Sequence, residues 1–167
     1  MKDKSEHAWK TFELINMWIK FSDTKAGAIL AADGVMVGIA LNLIPNQFNI
    51  ENAPKIYIIL LFLGLLTGTS SLYFSLKCLV PNLKMGKSKS IIYFSHIAQN
   101  YESPKDYLKS FNRHVSNEET FIDQITDQIW TNSIVSQQKY MAVTWSTRLF
   151  AITVFIIIIS IITSWLV

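Results

Sequence analysis

The chain has 167 residues, of which 50% are hydrophobic and 16% charged, and it carries a net charge of +3. Its apolar residues are gathered into three blocks rather than spread periodically, which argues against an ordinary soluble domain, and its cations form no stripe that would follow a nucleic-acid backbone. The single cysteine, Cys78, allows no internal disulfide.

Residues 3 to 22 predict an amphipathic helix, with Trp9, Phe12, Ile15 and Ile19 recurring at three- and four-residue spacing against Lys10, Glu13 and Lys20. Such a helix either lies on a membrane surface or packs on neighbouring helices. Asp3, Glu6 and Glu13 dilute the basic face that a surface binder carries, which favours packing, so residues 1 to 25 are expected as a cytoplasmic helix.

From Ala26 to Ile44 the only ionisable side chain is Asp33. At about 1.5 Å per residue this run crosses the roughly 30 Å hydrocarbon core of a bilayer, and residues 26 to 44 are expected as the first transmembrane helix. No small-x-small cleavage site follows between Asn42 and Phe48, so the run reads as a retained anchor. Asp23 and Lys25 fall at head-group level, with Trp18 and Phe21 as interfacial anchors. A carboxylate inside the bilayer is costly, which makes Asp33 either a functional group or a structural one satisfied at a helix contact. Gly34 and Gly38 form a GxxxG pair that lets another helix approach closely.

Pro45 to Pro54 is short and polar and predicts the turn into a second span. Residues 56 to 76 hold no charge, end at Lys77 and stop before Pro81, which predicts the second transmembrane helix. It carries a second GxxxG pair, Gly64 and Gly68, followed by Thr67, Thr69, Ser70 and Ser71 as hydroxyls able to bond across helices.

Residues 81 to 148 are polar and charged, and are expected as a cytoplasmic helical region too small to be an independent enzyme. The opening PNLKMGKSKS places Lys84, Lys87 and Lys89 beside Gly86, suited to anionic lipid or, less specifically, to a phosphate. The run from Ile91 to Phe94 is assigned to helix. Ser103 before Pro104 marks a helix start, with Tyr107, Leu108, Phe111 and Val115 as its buried side. Ser116 with Glu119 reads as a capping box that opens the next helix. There Ile122, Ile125, Ile129, Asn132, Ser136 and Lys139 share one stripe that turns from apolar to polar. Neither Pro nor Gly follows Ser116, so this helix is expected to continue into the third transmembrane run, residues 149 to 167, with Trp165 at its far interface. The expected fold class is an all-α membrane protein with three transmembrane helices and a cytoplasmic helical region between the second and third.

Five lysines precede the first run, Lys55 alone lies beside the first loop, and nine cations fall between Lys77 and Arg148. This distribution sets the amino terminus in the cytoplasm and the carboxyl terminus in the periplasm. Catalysis is not expected. His7, His96 and His114 are far apart, no metal-ligand spacing occurs, and no nucleophile stands beside a base, so no catalytic residue, metal or cofactor is assigned.

Four pieces, WIKFSDTKAGAILAADG, VPNLK, IIYFSHIAQN and IDQITDQIWTNSIVSQQKYMAV, resemble in order and spacing the Pycsar effectors, the PycTM-type transmembrane effectors of the pyrimidine-cyclase antiphage system. The resemblance covers nearly the whole chain. It implies a bacterial inner-membrane protein that responds to cyclic CMP or cyclic UMP, impairs the membrane and causes abortive infection; the small-residue helix faces add the expectation of a homo-oligomer. No separate nucleotide-binding module is visible, so residues 1 to 25 and 81 to 148 would have to read the messenger. On that implication Arg113 or Lys139 would meet the phosphate, and Tyr93, Trp130 or Tyr140 would stack on the base. Each also has an ordinary role open to it, in a surface ion pair, a packing seam or the membrane interface. The alternative function is a constitutive membrane-anchored scaffold or assembly subunit without ligand.

Overall fold

The computed structural model describes residues 2–44, 53–80 and 90–165. These form five helices with no strand among them: α1 (Lys2–Asn42), α2 (Lys55–Leu79), α3 (Phe94–Asn100), α4 (Pro104–Val115) and α5 (Glu118–Trp165). Proline explains the limits of the long ones. α1 has no Pro within it and ends ahead of Pro45, α2 starts directly after Pro54 and ends ahead of Pro81, and α5 contains neither Pro nor Gly. α1, α2 and α5 are each long and apolar enough to cross a membrane. The expected turn at Pro45 to Pro54 lies mostly outside the described residues, as does the loop carrying Lys84, Lys87 and Lys89.

The chain divides into two compact units, Met1–Phe21 with Asn82–Gln137 and Ser22–Pro81 with Gln138–Val167. α1 and α5 each contribute to both. In the first unit Ile125 of α5 is fully buried, and Asn132 donates from its amide to Asn16 Oδ1 of α1 at 2.8 Å. Ile91 to Tyr93, assigned to helix from sequence, is instead a bend. Its backbone is held by side chains: the Ser90 hydroxyl accepts from the amides of Ile92 and Tyr93, and Gln124 Oε1 accepts from Ile91 N–H at 3.2 Å. Tyr107 OH donates to the Ile91 carbonyl at 3.1 Å. These local bonds offer the backbone partners that a helix would otherwise supply.

α4 begins as its sequence indicates, with Ser103 Oγ accepting from Asp106 N–H at 3.2 Å and Pro104 in the first turn. Its buried side is narrower than the pattern predicted. Tyr107 and Phe111 are half-buried and in ring contact at 5.8 Å, whereas Leu108 and Val115 are exposed. The cap of α5 also differs. Ser116 caps the end of α4, its hydroxyl donating back to the Asn112 carbonyl at 2.7 Å, and Asn117 Oδ1 accepts from Glu119 and Thr120 amides at 3.1 and 3.3 Å. Asn is as good an N-cap as Ser, and the next residue along takes the position.

In the second unit the three apolar helices pack with α2 antiparallel to α1 and to α5. The start of α2 meets the end of α1, where Tyr57 OH donates to the Leu43 carbonyl at 2.5 Å. That bond satisfies a carbonyl left without an intrahelical partner. Buried residues of α2 are Tyr57, Leu61, Gly64, Gly68, Ser71, Ser75 and Cys78. Gly68 is the most tightly enclosed of the described glycines: an added Cβ would lie 3.0 Å from Val37 Cγ2 of α1 and 3.3 Å from Thr153 Cγ2 of α5. At Gly64 the same atom would make ordinary contact, 3.4 Å from Ile156 and 3.5 Å from Ile157.

Candidate functional site

The buried face of α2 passes from the large side chains of Tyr57 and Leu61 through Gly64 and Gly68 to Ser71, Ser75 and Cys78. The second unit therefore has an interior that is tightly packed at one end and polar toward the other. Asp33 of α1 is fully buried there. Ser71 donates its hydroxyl to Asp33 Oδ2, and Ser71 Oγ also lies 2.9 Å from the Ser146 carbonyl of α5. Ser75 and Ser146 share a hydroxyl hydrogen bond of 2.6 Å. All three serines are fully buried. The second carboxylate oxygen, Asp33 Oδ1, is buried and has no hydrogen-bond partner among the described residues. A buried carboxylate with one satisfied oxygen is held at a cost, and it is the group of this unit most changed by any arrival of water.

A second polar rung, ten residues earlier on α1, closes the same end of the bundle. Lys139 of α5 pairs with Asp23 and also donates to the Cys78 carbonyl of α2 at 2.6 Å, so one ammonium ties all three helices. Cys78 is buried, its thiol 3.7 Å from the Ser22 carbonyl. On the other side of the serines, Thr153 donates to Thr67 at 2.9 Å. Thr69 and Ser70 do not reach across: their hydroxyls return to the carbonyls of Leu65 and Leu66 in their own helix.

The candidate residues are distributed as follows. Asp23 and Asp33 are built into the two rungs, and Lys25 is exposed on α1. Gly64 and Gly68 face α5, with α1 also against Gly68, while a Cβ at Gly34 or Gly38 would meet nothing within 4 Å. Tyr93, Arg113 and Trp130 lie in the first unit, and Lys139 and Tyr140 in the second. Among the described residues, no hydrogen bond, ion pair or ring contact joins Tyr93, Arg113 and Trp130 to one another, or Lys139 to Tyr140. Tyr93 meets the His96 ring edge-on at 5.0 Å, Arg113 is exposed, and Trp130 and Tyr140 are exposed. Lys139 is committed to Asp23, so a phosphate there would have to displace a carboxylate.

Sequence reasoning missed Ser75, Ser146 and Thr153. A signal was present: Asn132, Lys139, Ser146, Thr153 and Ser160 recur every seven residues, and the last three are fully buried. Following the polar stripe of α5 past Lys139 into the apolar run finds them.

The sequence profile of the Pycsar effector protein domain, PycTM, matches residues 7–166. The Pycsar effector protein PtPycTM of Propioniciclava tarda is 27% identical over 151 residues, covering 86% of this chain and 70% of that protein. The Pycsar effector protein EcPycTM of Escherichia coli is 24% identical over 170 residues, covering 94% of this chain and 90% of that one. No solved structure matches. With a family profile running over nearly its whole length and three helices able to cross a bilayer, the chain belongs to the Pycsar effector family of antiphage transmembrane effectors.

Proposed function

We propose that this chain is a non-enzymatic effector that answers a cyclic pyrimidine mononucleotide, cyclic CMP or cyclic UMP, by impairing the bacterial inner membrane and so aborting infection. One observation carries the reading. Asp33 is fully buried among hydroxyls inside helices that are otherwise apolar enough to cross a bilayer. Such a seam is closed while α1, α2 and α5 stay together, and it becomes a wet polar lining when they part. The amino terminus is cytoplasmic and the carboxyl terminus periplasmic, following the lysine and arginine distribution. The first unit then faces the cytoplasm, with Arg113 offered to the phosphate and Tyr93 or Trp130 to the base. α1 and α5 are continuous through both units, so a change in the first is delivered along two helix backbones to the seam. Copies of the chain assemble, and the parted seams line a shared path.

A constitutive scaffold is the competing reading, because the same helices would anchor it. Titration calorimetry of the purified protein with cyclic CMP, cyclic UMP and cyclic AMP, beside dye release from liposomes carrying the protein, separates the two. The expected result is saturable heat with a pyrimidine nucleotide, and dye release that begins on its addition. Absence of heat with every nucleotide, together with leakage that none of them changes, would leave the scaffold standing.

A further inference from the structure

On the outside of the second unit, α2 and α5 leave a half-open groove of about 530 Å³, lined by Phe74 and Lys77 of α2 and by Gln138, Met141, Ala142 and Trp145 of α5. Residues three and four apart share a helix face, so each helix presents one continuous strip to it. Ala142 is buried and forms the floor, while Met141 and Trp145 are exposed beside it. Phe74 and Trp145 stack with ring centroids 6.4 Å apart. The Arg148 guanidinium lies 5.6 Å from the Trp145 ring centroid, which brings a second cation beside the groove.

The chemistry of this surface is that of an amphiphile. Its wall is aromatic and thioether, Lys77 and Arg148 are positive, and none of the six lining residues is a carboxylate. Lys77 closes the apolar run of α2 near the Lys139 rung, where lipid phosphates lie, and Arg148, two residues past Ser146 and so deeper on α5, reaches back over Trp145 toward that end. A zwitterionic lipid would bring an ammonium for which the lining offers no anion. We infer that the groove between α2 and α5 is a binding site for one anionic phospholipid, with the phosphate at Lys77 and Arg148 and an acyl chain along Phe74, Met141 and Trp145. This site is independent of the messenger reading.

Trp145 reports on its own site. Trp9, Trp18, Trp130 and Trp165 are 40%, 47%, 68% and 86% exposed, so replacing them with Phe opens no core. The variant that keeps only Trp145 is reconstituted in phosphatidylcholine vesicles with brominated phosphatidylglycerol or brominated phosphatidylcholine at equal mole fraction. Quenching should favour the anionic lipid. Each of Lys77→Gln and Arg148→Gln should lower that preference by about fivefold, the worth of one cation beside an anionic surface. Lys20→Gln, which removes a cation outside the groove, should leave it unchanged, as should soluble glycerol 3-phosphate in excess. The proposal is overturned by equal quenching with the two lipids. It also fails if Lys20→Gln matches Lys77→Gln, which means diffuse charge, or if glycerol 3-phosphate relieves the quenching, which means a phosphate site with no lipid.

Discussion

Asp33 and Ser71 form a pair whose two halves have unequal consequences when removed. Ser71 is the one donor to Asp33 among the described residues, and that carboxylate already has an oxygen without a partner. Ser71→Ala should therefore cost about 2 kcal/mol in detergent-solubilised thermal unfolding, the penalty for stranding a buried polar group. Asp33→Leu removes the costly group with similar volume and should be neutral or stabilising, and adding Ser71→Ala to it should cost little further, because Ser71 then has only its contacts with the Ser146 carbonyl and hydroxyl to lose. If the double variant is as unstable as Ser71→Ala alone, the two are not coupled. Dye release makes a different demand on the same residue. Asp33→Asn should fold and assemble but release dye with altered dependence on the nucleotide, and Asp33→Leu should fold and release none. Triggered release by Asp33→Leu equal to the parent would sink the wet-seam mechanism. Gly68 is the third single position with a sharp expectation. A side chain there meets Val37 and Thr153, so Gly68→Ile should split α2 from its neighbours and lower thermal stability, whereas Gly64→Ala should be tolerated.

Helices differ in how their ends and faces are specified. α5 starts on the Asn117 cap, so Asn117→Ala should cost about 1 kcal/mol in urea or thermal unfolding while Ser116→Ala, which loses only a bond back to its own helix, should cost less. The reverse order would restore the capping box at Ser116. That near miss shows what was legible in the sequence. Breaks at Pro45, Pro54 and Pro81, the Ser103 cap and the three apolar runs are local signals, each decided by residues within one turn. The choice between Ser116 and Asn117, the bend at Ile91 and the exposure of Leu108 and Val115 depend on partners far along the chain, such as Gln124 and Tyr107 for the bend. The same holds for the site. Asp33 announces itself because an acid in an apolar run has no local reason to be there. Ser75, Ser146 and Thr153 do not, since a hydroxyl in a helix can always return to its own backbone, as Thr69 and Ser70 do.

Across the whole molecule, three helices able to cross a membrane and cations gathered before the first and between the second and third predict opposite sides for the two termini. Alkaline phosphatase fused after residue 167 should be active in a bacterial host and inactive when fused within residues 81 to 89. The opposite pattern would put the first unit outside and remove the cytoplasmic messenger reading with it. The buried positions of α2 carry one more consequence. Tyr57, Leu61, Gly64, Gly68, Ser71, Ser75 and Cys78 alternate steps of four and three residues without a slip. A repeat of seven is slightly short of two full turns of a 3.6-residue helix, so keeping that face inward winds the partners into a left-handed supercoil. GxxxG pairs by themselves favour the opposite hand. Gly64 and Gly68 thus act here as the thin rungs of a left-handed rope, and unwinding it would carry Ser71 and Ser75 out of register with Asp33 and Ser146 together rather than one bond at a time.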